Sequence, residues 1–254
     1  TTEPSTPSFD SAVFSGDGSF VQLAFTAATN KNGTVSANTF SCGTVLTFVN
    51  ISLATCKWIT NAVAVIYPGM GSALTIGSSI GLVEGSVQAK CKGDLSDCIA
   101  WASIQADTLI VAAPDSAVTP SVILVAPTRL SMCEDLVLDV SGSVGSGGKE
   151  WERVGFTVKS QGLNVSAIES FLNSEYRVFP PTALPKTLLD PGRKYYFTAE
   201  LCNFLGQCGV STEIAVKISE TSIPTANILG APLRVISSRS TLSLKSHAYS
   251  RICG

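Results

Sequence analysis

An alternation of apolar and polar side chains with a period of two recurs along nearly the whole sequence, and it constrains the fold more than any other feature. Val21, Leu23 and Phe25 alternate with Gln22, Ala24 and Thr26. Tyr195, Phe197, Ala199 and Leu201 alternate with Tyr196, Thr198 and Glu200. Val210, Thr212, Ile214, Val216 and Ile218 alternate with Ser211, Glu213, Ala215, Lys217 and Ser219. Successive side chains of a strand point to opposite faces, so this period specifies half-buried strands. Clusters of Gly, Pro, Asn and Ser between the runs supply the turns. Only Val165 to Asn173 reads as a short helix. The expected class is all-β, with tandem sandwiches rather than a barrel.

The cysteines say how such a chain is stapled. There are eight, at positions 42, 56, 91, 98, 133, 202, 208 and 253, and no two form a C-x-x-C pair. With His247 the single histidine, the close Cys/His pairs of a zinc site are missing, so no metal or other cofactor is expected. Widely spaced cysteines in a loop-rich chain fit an oxidising compartment. The favoured local bridges are Cys42–Cys56, Cys91–Cys98 and Cys202–Cys208. Cys133 and Cys253 are left over, to pair together, across subunits or not at all.

Charge bounds the partners. Only 14% of the 254 residues are charged and the net charge is −2, which offers no clustered basic surface for nucleic acid. The mean hydropathy of +0.32 implies much uncharged surface, covered by glycans or by partner subunits, or kept wet by Ser and Thr hydroxyls. The longest uncharged stretch, Asn61 to Val83, is broken by Pro68, Gly69 and Gly71, so no membrane span is expected in this segment. The chain starts at Thr1 without a basic-then-apolar leader, which suggests processing or excision from something longer.

The chain also repeats itself. Ile123, Leu124, Ala126, Pro127 and Arg129 are echoed by Ile228, Leu229, Ala231, Pro232 and Arg234, and Leu136 and Leu138 by Leu242 and Leu244. Residues 1–8, rich in Thr, Ser and Pro, read as a linker or tail. An N-terminal sandwich is expected over 9–118 and a complete module over 119–220. Residues 221–254 then form the first strands of a further module. A partial sandwich cannot bury its apolar face or pair its edges. The expectation is that the chain continues, or that 221–254 complete a sheet on a neighbouring subunit.

The second module carries a recognisable set of segments. Cys133, Leu136, Leu138, Asp139, Ser141 and Ser143 lead into the glycines at 145, 147 and 148. Trp151 precedes Val154, Phe156 and Val158. Leu189, Pro191, Gly192, Tyr195 and Phe197 follow, and then Leu201, Cys202, Asn203, Leu205 and Gly206. From Cys133 onward the chain resembles the receptor-for-egg-jelly (REJ) region and related PKD-type Ig-like modules, over roughly residues 119–254. The resemblance implies Ig-like sandwiches in a large extracellular or cell-surface protein, often adhesive and sometimes on the ciliary surface, with no catalytic residues. Cys208, across the hairpin from Cys202, departs from the family pattern. Residues 1–118 match no family by motif.

Several local patterns invite chemistry. Gly77, Ser79 and Gly81 satisfy the G-x-S-x-G of hydrolases, but that motif needs a strand-to-helix elbow, a His base and an acid. A turn in a β protein is the expected reading, and the chain is not expected to be an enzyme. Asp94 and Asp97 lie within the Cys91–Cys98 loop, which offers too few oxygens for calcium. Asn32, Asn50 and Asn164 head glycosylation sequons, Asn32 in a polar turn and Asn50 in a strand-like run. Trp58, Trp101 and Trp151 are expected in the core rather than at a sugar site. Two functions follow: a structural subunit of an extracellular fibre that self-assembles through β-modules, or a lectin-like adhesive piece of a larger ectodomain whose partners are glycans and neighbouring domains.

Overall fold

A computed structural model of the chain describes residues 4–33, 39–91, 98, 101–221, 225–229 and 245–249. It is all-β and disulfide-bonded, with several sheets and one α-helix among the described residues. Two compact units emerge. The first comprises 1–120, 144–153 and 202–209, and the second 121–143, 154–201 and 210–254.

The first unit packs two antiparallel sheets around one core. Strands β1 (Phe9–Phe14), β2 (Val21–Phe25), β3 (Thr39–Phe40), β5 (Ala54–Trp58) and β6 (Val63–Pro68) form a sheet of order β1-β2-β6-β5-β3. Strands β4 (Leu46–Thr47), β7 (Ser79–Leu82) and β8 (Thr108–Ile110) form the other, in the order β4-β7-β8. Val21, Leu23 and Phe25 are buried while Gln22 is exposed, as the alternation requires. Leu23 and Ile66 of one sheet share a core with Leu46, Ile80 and Leu82 of the other. Phe9, Phe25, Trp58 and Phe40 run through it as a chain of rings with centroids 5.4–5.6 Å apart. A buried bridge between Cys42 and Cys56 staples the same region.

The second unit is an Ig-like sandwich in its strand order. Strands β9 (Arg129–Leu130), β11 (Arg153–Ser160), β13 (Lys194–Cys202) and β15 (Ile214–Ile218) form the sheet β11-β13-β15-β9, with β14 (Cys208–Val210) beside β13. β9 runs parallel to β15, Lys217 pairing Arg129. The opposing layer joins β10 (Leu136–Val137) to β12 (Ala183–Leu184), with a bridge between Val125 and Asp139 beyond β10. Tyr195, Phe197, Ala199 and Leu201 present a fully buried face, and Leu136, Leu138, Val140 and Leu184 are equally inaccessible. Tyr195, at the start of its strand, accepts a hydrogen bond from the Asp190 N–H at 2.9 Å. A tyrosine hydroxyl reaching back to the backbone a few residues upstream at this corner is a mark of Ig-type sandwiches.

Helix α1 (Ser166–Glu175) covers the free edge of β11. Just before it, Asn164 closes an Asx-type turn, its Oδ1 accepting the Ser166 N–H at 3.0 Å. Glu169 and Asn173, one turn apart, both face the strand. Glu169 accepts the Val158 N–H at 2.8 Å, while Asn173 accepts the Phe156 N–H at 2.7 Å and donates to the Phe156 carbonyl at 3.1 Å. Backbone groups that would invite another strand are thereby occupied.

Three local expectations need correction. The run from Val210 to Ile218 is not one strand: it breaks at 211–213, between β14 and β15. There the buried Ser211 hydroxyl takes the Ala199 N–H at 3.0 Å in place of a ladder carbonyl, and the faces switch across the break: Val210 and Thr212 are exposed, whereas Val216 and Ile218 beyond it are buried. Asn50 lies not in a strand but in a left-handed turn (φ 58°) before a short 3-10 segment. Trp151 stands before β11 and is half-buried, unlike the buried Trp58 and Trp101.

Candidate functional site

The hydrolase-like serine is disposed of by its backbone. Ser79 begins β7, inside a three-stranded antiparallel sheet, with Ile80 opposite Leu109 and Gly81 opposite Thr108. Its hydroxyl is exposed, and the chain continues as strand rather than turning into a helix. Ser78, its neighbour, accepts the Thr75 N–H at 2.8 Å and closes the preceding turn. His247 lies in strand β17 (Lys245–Tyr249). Asp94 and Asp97 fall outside the described residues.

The sulfur pairs are placed by turns. Cys42–Cys56 joins a 3-10 turn to β5, and Cys202–Cys208 closes the β13–β14 hairpin with Cα atoms 4.0 Å apart. Cys91–Cys98 closes a short loop beside Trp101. Cys133 is disulfide-bonded, and Cys253 lies outside the described residues. All three sequon asparagines, Asn32, Asn50 and Asn164, are exposed, and the first two occupy left-handed turns.

A hairpin within residues 225–249 is the first candidate for an assembly contact. Strand β16 (Thr225–Leu229) pairs antiparallel with β17, Leu229 meeting Lys245 and Thr225 meeting Tyr249. Earlier in the chain Val125 meets Asp139, with 2.8 Å bonds in both directions. Lys245 directly follows Leu244, as Asp139 directly follows Leu138, so the repeated segments pair in the same register to within one residue. Among the described residues β16 pairs with β17 alone.

A second candidate comes from strand register. Lys194 of β13 lies opposite Lys217 of β15, which in turn pairs Arg129 of β9. Three exposed cations therefore stand abreast on the outer face of one sheet. Sequence reasoning missed this row because its members are far apart in the chain and each reads singly as a solvated residue. Two apolar exposures were also missed: Met70 is 97% exposed at the β6 turn, and Ile123 and Val125 are exposed beside β10.

Tightly held polar groups in the first unit are structural. Asn203 is 1% exposed and makes four bonds. Its Nδ2 donates to the Val118 and Gly145 carbonyls at 3.1 and 3.0 Å, and its Oδ1 accepts the Leu205 and Gln207 N–H groups at 3.1 and 3.0 Å. The Lys149 ammonium donates to the Leu74 and Ser72 carbonyls at 2.6 and 3.2 Å and sits 5.1 Å from the Phe204 ring centre, and desolvation lowers its pKa.

No known protein family matches the sequence, and no curated protein does either. Among solved structures there is a slight likeness to the N-terminal Ig1-2 module of the Drosophila receptor protein tyrosine phosphatase DLAR. It has 11% identity and a TM-score of 0.25, covering 85% of this chain and 100% of that one. Among the described residues no helix is long and apolar enough to cross a membrane.

Proposed function

We propose that this chain is an extracellular structural protein of the REJ/PKD type. Its disulfide-stapled β-modules assemble with copies of themselves into a cell-surface fibre, and N-glycans at Asn32, Asn50 and Asn164 help keep the weakly charged surface soluble. The repeated opening hairpin carries this reading. A two-stranded hairpin is marginal alone in water and gains from further strands, and strand addition between copies supplies them through main-chain hydrogen bonds. The covered edge of β11 fits the same picture, because a chain that assembles by strand exchange must close the edges it does not use.

Electron microscopy and light scattering of the purified chain, with and without residues 221–254, test the reading. Assemblies that the deletion reduces to monomers are the expected result. If assembly is unchanged by the deletion, the hairpin is not the contact. Discrete monomers in both cases favour the alternative, an adhesive ectodomain that binds a ligand.

A further inference from the structure

The outer face of the sheet β11-β13-β15-β9 carries a feature that fibre assembly does not use. Arg129, Lys217 and Lys194 are aligned by direct cross-strand pairing, on strands about 4.8 Å apart, so the row spans roughly 10 Å. Like charges directly opposite one another destabilise a sheet. In a chain with only 14% charged residues, such a row is not a by-product of crowding.

None of the three forms an ion pair among the described residues. The ion pair on this face joins Lys159 to Glu213 at 3.1 Å. Lys194 lies 5.0 Å from the ring centre of Tyr196, two residues along the same face. Beside the row is an open depression of about 280 Å³, lined by Arg129, Gly192, Lys217, Ile218, Ser219, Glu220 and Thr221. The Ser219 and Thr221 hydroxyls, 3.4 Å apart, add donors at its rim, and Glu220 is the one acid there.

We propose that this face binds an anionic polysaccharide, sulfated or carboxylated, with Arg129, Lys217 and Lys194 each meeting an anionic group and the Ser219 and Thr221 hydroxyls meeting sugar oxygens. The chemistry favours a sugar polymer over the other polyanions. Arg129 supplies a planar fork suited to sulfate or carboxylate, and the lysines supply adaptable point charges. Three cations on open, hydroxyl-rimmed ground do not suit the core of a protein interface, where charged residues are depleted. A disulfide-bonded chain belongs to an oxidising compartment, where nucleic acid is not the usual polyanion. The inference does not depend on the chain polymerising.

Binding of the full chain to immobilised dextran sulfate, polygalacturonate and uncharged dextran, followed against salt, tests it. Dextran sulfate or polygalacturonate should bind with an affinity that falls as salt rises, and dextran should not bind; which of the two binds tells sulfate from carboxylate. Arg129→Ser with Lys217→Ser should weaken binding on the order of tenfold. Arg129→Lys should retain most of it, and Lys90→Ser with Lys186→Ser, equal in charge but elsewhere, should change it less than about twofold. Thermal unfolding of each variant checks that the fold is kept, and Lys194→Ser replaces the double variant if that one unfolds. No binding to either polyanion overturns the proposal. So do equal losses from both charge-removing pairs, or tighter binding to poly-glutamate than to either polysaccharide.

Discussion

Replacing Asn203 by Leu, of similar size, should destabilise the first unit by about 3 kcal/mol. The side chain is 1% exposed and all four of its hydrogen-bonding positions are used, each on backbone. Leucine fills the space but leaves two N–H groups and two carbonyls without their partner. Val118 is 48% exposed, so water can reach part of the loss. Counting only the Leu205 N–H and the Gly145 carbonyl, at about 2 kcal/mol each, the penalty is roughly 4 kcal/mol. Added apolar burial returns about 1 kcal/mol. For a unit of this size the remainder corresponds to a fall in Tm of about 10 °C. Calorimetry and urea titration of the full chain measure it. Asn203→Asp separates hydrogen bonding from packing, because it keeps the shape but turns an oxygen towards the Val118 and Gly145 carbonyls. That variant should be at least as unstable at neutral pH and regain stability in acid, where the carboxyl again carries a proton to donate. A loss below about 1 kcal/mol for Asn203→Leu, or an Asp variant as stable as the native chain, would refute the reasoning.

Three further outcomes follow from the same kind of accounting. Replacing Cys42 and Cys56 together by Ala opens a loop with a sequence separation of 14 and should cost about 3 kcal/mol, read as a lower urea midpoint. Tyr195→Phe removes the hydroxyl that accepts the Asp190 N–H and should cost about 1 kcal/mol; an unchanged Tm would mean the corner is not structural. The Asp17 carboxylate accepts the Ser15 hydroxyl and both the hydroxyl and N–H of Ser19, which hold its pKa down to about 2 from 3.8. Since the folded pKa is the lower one, its contribution to stability is present above about 3.8 and is lost as pH falls towards 2. Carboxyl NMR should show that midpoint, and Ser15→Ala should move it up.

What the sequence by itself determined is whatever depends on near neighbours. The alternation at Val21–Phe25 and at Tyr195–Leu201 specifies strands with one buried face, because side-chain direction in a strand depends only on position along it. The helix near Val165–Asn173 was legible in the same way, and so was the repeat of Ile123–Arg129 at Ile228–Arg234. Tertiary structure decided what depends on which strands lie side by side. Ser211 breaks an apparently continuous strand because its hydroxyl meets Ala199, and Asn203 is indispensable because residues 85 and 58 positions away bring their carbonyls to it. The row of Arg129, Lys217 and Lys194 is the clearest case. Its members come from three separate segments, and a slip of one residue in either pairing would turn part of it to the other face. Register between distant strands is set by the burial of whole faces, and no window of local sequence contains it.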